Sequence, residues 1–162
     1  MAKKQPELSV LVDIRDLLKA RFPHEPVLKP KVFSTQGKFF EPLYNSDRFK
    51  KLKDGWIKDN LLGIDWGKSS NKRMSWAEAK EYATKEGGRL PEIDELNSLV
   101  DRSKYKPATH PIFTDTQSSY YWSGTTYAVY TGLAWVVYFG DGYVNGGSKV
   151  FEHYVRPVRS SQ

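Results

Sequence analysis

Histidines and carboxylates are the side chains of this chain that could bind a metal ion or transfer protons. The three histidines are His24, His110 and His153, which lie far apart in the sequence without the short spacings of a metal site. Three carboxylates lie close together between residues 92 and 95. Such a cluster is typical of a first helical turn, where negative charge stabilises the positive end of the helix. These residues therefore predict no metal site and no acid–base pair.

Nucleophilic and phosphate-binding chemistry also lacks its usual residues. The chain has no cysteine, which excludes thiolate catalysis, zinc–thiolate sites and disulfides. It contains no Gly-x-Ser-x-Gly sequence, no P-loop and no dinucleotide-binding fingerprint. The glycines at 140 and 142 are typical of a turn, because no helix follows them to supply an anion site. We expect a protein that is not an enzyme and that uses no cofactor.

Aromatic residues in the last third of the chain indicate recognition. Seven of the ten tyrosines lie between Tyr120 and Tyr154, among glycine, serine and asparagine. Tyrosine offers a large contact area at low entropic cost, and the small polar residues offer adaptable hydrogen bonds. This composition predicts short strands that display a binding surface.

The strand pattern predicts which of these side chains face outward. Residues 134–139 alternate with a period of two and lead through a turn at 140–142 into the next strand. Residues 146–148 are expected to open a loop, and the last strand is expected over 154–159. The residues predicted to face the core are Trp135, Val137, Phe139 and Val144. The residues predicted to bind ligand, from the outer face and the neighbouring loops, are Tyr127, Tyr130, Val136, Tyr138, Asp141, Tyr143, Asn145, Ser148, Phe151 and His153.

Two contacts are predicted within this region. Arg156 is expected to pin the last strand by pairing with a carboxylate such as Asp141 or Glu152, or else to contact the ligand. Tyr138 and Tyr143 are expected to lie near each other across the hairpin. There they would either form the centre of a binding surface or stabilise the hairpin by stacking.

Two helices are predicted to cover the inner face of the sheet. Ser75 and Glu78 have the spacing of a capping box, so the first helix is expected to begin at Trp76. It is expected to end at Gly87-Gly88, which can adopt left-handed conformations. Pro91 is expected at the first position of the second helix.

The first 53 residues are predicted to be an extension of a main domain that spans 54–162. Leu8 to Phe22 carries apolar residues at helical spacing and would pack on its own domain or on a second copy of the chain, giving a homo-oligomer. The rest of the extension is predicted to be an irregular arm. Residues 1–74 carry 16 Lys and Arg against 9 Asp and Glu. This basic half either serves solubility or makes the protein an adaptor that docks on nucleic acid or an acidic scaffold.

The start of the chain predicts its location. Met1-Ala2-Lys3-Lys4 is basic, but the apolar run that follows is short and is interrupted by Asp13 and Asp16. This pattern predicts neither a signal peptide nor a membrane span. We therefore expect the protein in the cytoplasm, with a phage particle or another export route as the alternative.

An ordered set of short motifs runs through residues 54–160, roughly two thirds of the chain. They are Trp56-Ile57-Lys58-Asp59-Asn60, Leu62-Gly63-Ile64-Asp65-Trp66, Ser75-Trp76-Ala77-Glu78-Ala79, Gly88-Arg89-Leu90-Pro91-Glu92, Tyr121-Trp122-Ser123-Gly124, Ala134-Trp135-Val136-Val137-Tyr138-Phe139 and Tyr154-Val155-Arg156. In this order they resemble the bacterial C-type-lectin-like domain that ends the Legionella collagen-like adhesin.

The resemblance implies an α+β fold of the C-type-lectin-like type, in which two helices pack on a twisted antiparallel sheet and long loops form the binding face. It implies binding of a protein or a glycan without catalysis. The core residues that it implies are Trp66, Trp76, Leu90, Trp122, Trp135, Phe139 and Val155. The chain lacks the Glu-Pro-Asn and Trp-Asn-Asp motifs of animal lectins, which counts against a calcium-dependent sugar site. It also lacks the cysteines of the related formylglycine-generating enzymes, which counts against that activity.

Some members of this fold are variable target proteins of diversity-generating retroelements, in which adenine-directed mutagenesis changes the codons of outward-facing residues. The residue types at the outward and loop positions between 130 and 153 can all be reached from an asparagine codon by changing its first two bases. The resemblance therefore implies a diversified surface as one interpretation. An ordinary surface of the same composition is the other.

Overall fold

The computed structural model describes residues 48–162. The predictions for the helix at 8–22, its self-association, the start of the chain and most of the basic arm lie outside the described residues. The described strands are β1 (Phe49–Lys51), β2 (Ile57–Asp59), β3 (Ile64–Trp66), β4 (Tyr120–Thr126), β5 (Leu133–Tyr138), β6 (Tyr143–Ser148) and β7 (Val158–Ser160). The described helices are α1 (Trp76–Lys85) and α2 (Ile93–Asn97). None of the helices in this part of the chain is both long and apolar enough to cross a bilayer.

The first sheet is antiparallel with the strand order β1-β2-β3-β7. Its first strand lies within the segment that the sequence assigns to the arm, so the folded sheet begins before residue 54. The reason is Phe49, which is buried and packs edge-on against Phe113 with ring centroids 5.0 Å apart. At the other edge, β7 begins only at Val158, four residues later than the strand predicted over 154–159. The residues up to Pro157 are irregular, and the Pro157 carbonyl accepts a hydrogen bond from the Gly67 N–H.

The second sheet has the order β4-β5-β6 and is also antiparallel. Tyr138 pairs with Tyr143 in the ladder, which confirms the predicted hairpin register. The strand β6 then continues to Ser148, so the prediction that Gly146 and Gly147 open a loop is wrong. A Cβ on Gly147 would lie 3.1 to 3.2 Å from atoms of three neighbouring side chains. The glycine is therefore a strand residue whose missing side chain leaves room for its neighbours.

The two helices begin with capping boxes. As predicted, α1 begins at Trp76, where both the N–H and the hydroxyl of Ser75 donate hydrogen bonds to the Glu78 carboxylate at 2.8 and 2.7 Å. The second helix begins at Ile93, two residues later than the sequence predicts. Glu92 is its N-cap, so the Pro91 ring lies outside the helix.

The single buried face predicted for β5 is corrected by the structure. Val136 is buried with Ala134 against α1, and Val137 is buried with Phe139 in the core that contains α2 and the first sheet. Trp135, predicted to be core, is only half-buried. Because elements cover both faces of this strand, neither face is an outer face along its whole length. The described domain is a mixed α/β fold with two antiparallel sheets and two short helices.

Candidate functional site

One face of the three-stranded sheet carries a row of tyrosines, one from each strand. Tyr120 pairs with Tyr138, and Tyr138 pairs with Tyr143, so the three side chains share a face. The rings of Tyr120 and Tyr138 lie 4.8 Å apart. Tyr143 is 55% exposed. We call this row, with the cleft beside it, the aromatic face; its rings are packed in the middle and open to solvent at β6.

A cleft of about 220 Å³ lies beside the row. Its lining consists of Tyr120, Val136, Asn145, Gly146, Gly147, Phe151 and His153. Val136 is 2% exposed and forms part of the floor, whereas Phe151 is 61% exposed at the mouth. The cleft therefore joins a buried apolar floor to an accessible aromatic ring, with polar groups on its walls.

His153 is the titratable group of this cleft that has a perturbed pKa. Its ring lies 4.5 Å from the Trp122 ring and 5.3 Å from the Tyr120 ring, and its main chain pairs with Met74 through two hydrogen bonds of 3.0 Å. Burial lowers the pKa of His153 below 6.5, although its hydrogen bond to the Glu152 backbone acts in the opposite direction. The imidazole is consequently neutral at pH 7 and held in place by its neighbours.

The structure brings six of the ten predicted site residues together at the aromatic face. They are Val136, Tyr138, Tyr143, Asn145, Phe151 and His153. The prediction that Val136 faces outward is wrong, because α1 and its cluster cover this side chain. It contributes to the cleft only as floor.

The other four predicted residues lie elsewhere. Tyr127 and Tyr130 form a separate aromatic cluster with Trp135, and the Tyr127 ring lies 4.7 Å from the indole and 6.3 Å from the Tyr130 ring. The register places Ser148 on the Trp135 side of the sheet. Asp141 is in the hairpin turn, where its carboxylate accepts a hydrogen bond of 3.0 Å from the Tyr143 N–H. The predicted surface is therefore split between the two faces of the sheet.

Three residues of the cleft, Tyr120, Gly146 and Gly147, are absent from the predicted set. The signal for Tyr120 is present in the sequence, because it alternates with Trp122 at the period of a strand. The signal for Gly147 is weaker, since a pair of glycines after a strand normally indicates a loop.

Arg156 pins the segment before β7, as predicted, but with a different partner. Its side chain is 1% exposed and donates hydrogen bonds to the Asp115 carboxylate at 2.5 Å and to the Gly67 carbonyl at 2.8 Å. Neither Asp141 nor Glu152 is the acceptor of these bonds. Among residues 48–162, no group of three or more histidine or carboxylate side chains is placed to hold a metal ion.

The sequence pattern described as the Lcl C-terminal domain matches residues 55–159, about two thirds of the chain. The matched segment contains both helices and the whole three-stranded sheet, and so the complete aromatic face. The chain matches no curated protein and no solved structure. From the extent of the family match, the chain belongs to the Lcl C-terminal domain family, which indicates an adhesin-like, ligand-binding role.

Proposed function

We propose that this domain is a non-catalytic recognition module that binds a protein or a glycan through the aromatic face. The observation that carries the proposal is the in-register row of Tyr120, Tyr138 and Tyr143 across three strands. Large aromatic side chains at low entropic cost are the residues that dominate binding energy at recognition surfaces. Membership of an adhesin-like family supports the same function.

The packing of the row favours binding because most of it is already ordered. Tyr138 lies against Tyr120 at 4.8 Å, and both belong to paired strands of one sheet. A ligand that contacts a fixed surface loses less free energy to side-chain ordering than one that contacts mobile loops. Tyr143 and Phe151 add accessible aromatic area to this face.

Two finer proposals concern the scaffold and its variation. We propose that the two helices and antiparallel sheets form a C-type-lectin-like scaffold, and that a diversity-generating retroelement varies the exposed residues. In support, exposed Tyr143 and Asn145 alternate along β6 with half-buried Val144. A neighbouring reverse transcriptase gene and a near-copy of the 3′ coding segment that differs mainly at adenines would support the variation. A gene neighbourhood without either would contradict it.

Replacing Tyr143 by Ala tests the recognition function. The side chain is largely exposed, so we expect binding to a glycan array or to a panel of cell-surface proteins to fall at least about tenfold. We expect the melting temperature to stay nearly unchanged. Tyr138→Ala is a poorer test, because it also removes the stacking partner of Tyr120.

The matched control is Leu61→Ala, which truncates an exposed apolar side chain beside the other sheet. It should leave binding and stability as they are in the wild type. If Tyr143→Ala folds normally and binds every wild-type ligand with wild-type affinity, the proposed recognition surface is wrong.

A further inference from the structure

The cleft beside the tyrosine row has an uncharged lining. Its polar side chains are a phenol, an amide and an imidazole, from Tyr120, Asn145 and His153. The imidazole is neutral at pH 7, because burial lowers the pKa of His153. The charged residues next to it, Arg73 and Glu152, do not belong to the lining. An anionic group placed here would lose hydration without gaining a partner of opposite charge.

The polar groups of the cleft are suited to hydroxyl groups. The Asn145 carbonyl oxygen accepts a hydrogen bond of 2.8 Å from the Gly146 N–H, which leaves the amide NH₂ group to donate. The neutral His153 ring carries one N–H donor and one acceptor nitrogen, and its Nε2 atom lies beside Gly147 at the base of the cleft. Hydroxyl groups both donate and accept, so they match a wall that offers both functions.

The apolar groups of the cleft are suited to the carbon-bonded face of a ring. Phe151 offers an exposed aromatic ring at the mouth, and Val136 closes the floor. C–H groups of a saturated ring pack against the negative face of an aromatic ring. A ligand with hydroxyl groups on its edge and C–H groups on its face uses both parts of the cleft.

The size of the cleft is set by glycine. A Cβ on Gly147 would lie 3.1 Å from the His153 Nε2 atom and 3.1 Å from a Val136 methyl group. The missing side chain therefore lets the imidazole and the Val136 methyl group approach the strand at the base of the cleft. The volume of about 220 Å³ is smaller than the range of about 300–1,000 Å³ that is typical of sites for drug-sized ligands. It suits one ring of a ligand.

We infer that this cleft holds one neutral sugar unit of a glycan, with the ring stacked on Phe151 and its hydroxyl groups bonded to Asn145 and His153. This inference rests on the proposed recognition function and names the ligand class of that surface. Neighbouring units of the same glycan would then extend over the tyrosine row towards Tyr143.

The test uses the full chain and a panel of methyl glycosides of neutral hexoses and N-acetylhexosamines, with glucuronic acid and sialic acid as charged probes. Backbone amide shifts of Asn145, Gly146 and Gly147 should move with at least one neutral sugar. The affinity should change less than about twofold between low salt and about 1 M salt, where the Debye length is about 3 Å. Charged probes should bind more weakly than their neutral counterparts.

Phe151→Ala should weaken sugar binding at least about tenfold, because it removes the stacking ring but no buried group. The matched control is Tyr130→Ala, which removes an exposed ring from the separate cluster at Tyr127 and should not change sugar binding. Asn145→Ala, in which an exposed side chain is lost, gives a second variant that should fold and should also bind more weakly.

The outcomes separate this inference from the proposed function. If Tyr143→Ala loses a macromolecular ligand but no neutral sugar shifts the cleft amides, the recognition surface stands and the sugar site is wrong. Binding of charged sugars that falls steeply with salt, or capture of a protein ligand that neutral glycosides do not displace, would also overturn the sugar site. If neutral sugars bind in the cleft but Tyr143→Ala binds every ligand as the wild type does, the sugar site stands and the proposed wider recognition surface is wrong.

Discussion

The two sheets of this domain are stabilised by different kinds of side chain. The four-stranded sheet contains ion pairs, of which Arg48 with Asp59 is almost completely buried, at 2.7 Å. A second pair, Arg159 with Asp65, joins β7 to β3 at 3.2 Å. The three-stranded sheet instead packs aromatic rings and a glycine on the aromatic face. The comparison indicates that one sheet fixes the geometry of the domain and the other displays a surface.

Asp59 shows how the first sheet obtains its geometry. Its carboxylate accepts hydrogen bonds from the Arg48 guanidinium, from the Trp66 indole at 3.2 Å and from the Leu61 N–H at 3.0 Å. These donors come from the residue before β1, from β3 and from the turn that follows β2. A buried charge with several directional partners tolerates few alternative arrangements, so it specifies one packing of these strands.

The largest expected effect breaks the first sheet at this residue. Asp59→Asn removes one charge of the buried ion pair and the carboxylate that several donors share, so we expect the free energy of unfolding to fall by about 3–5 kcal/mol. Urea denaturation followed by tryptophan fluorescence measures it. Asp54→Asn is the control, because Asp54 pairs with Arg159 at an exposed position and its loss should lower the stability far less. Equal losses in both variants would contradict the assignment of the buried pair.

A smaller effect is expected where the second sheet depends on glycine. Gly147→Ala places a methyl group 3.1 to 3.2 Å from His153, Val136 and Trp122, so we expect a loss of about 1–3 kcal/mol. Gly132→Ala is the control, because its added methyl group meets no atom within 4 Å. It should be neutral or slightly stabilising. Unfolding curves of the two variants that coincide would show that the packing around Gly147 does not limit this sheet.

The smallest expected effect is a loss of folding stability in acid, which begins at a different pH for His153 than for Asp115. An unfolded histidine takes up its proton near pH 6.5, whereas buried His153 takes it up at a lower pH. Its contribution to stability is therefore complete above pH 6.5 and is lost as the pH falls through its folded pKa. Burial raises the pKa of Asp115, but the Arg156 guanidinium and backbone N–H groups such as that of Ser69 together lower it to below 3.8. That contribution is complete above pH 3.8 and is lost only in stronger acid.

Denaturation midpoints between pH 8 and pH 2 measure these two windows. His153→Gln should flatten the first decline, and Asp115→Asn should flatten the second. Burial also lowers the pKa of His110, so this residue should contribute equally to the first decline in the wild type and in His153→Gln. A first decline of the same steepness in His153→Gln and in the wild type would contradict the buried, neutral state of this ring.

Local signals in the sequence predicted the elements well. The capping box of Ser75 and Glu78 placed the start of α1 at the right residue, because its two partners lie within one turn. The Tyr138–Tyr143 register followed from the length of a single turn. Both depend on residues that are close in the chain, for which local geometry leaves few alternatives.

Long-range packing accounts for what the sequence did not predict. Alternation along β5 shows which residues share a face, but it does not show which face is covered. In the structure α1 covers one face and α2 the other, so the pattern alone could not show that Val136 is buried. The partner of Arg156 is Asp115, 41 positions away. The cleft at Gly147 forms only because His153 returns to it from a separate segment.

The strand order decides how the domain can be attached. The chain enters the described fold at β1 and leaves it at β7, and these are the two edges of the same four-stranded sheet. The strands β4, β5 and β6, which carry the tyrosines, form a sheet to which neither end belongs. A stalk, a tag or a surface linker joined directly before β1 or after β7 is attached to the four-stranded sheet and does not involve the hairpin of β5 and β6. Within residues 48–162, attachment at either of these edge strands therefore leaves the strands that carry the tyrosine row free of the link.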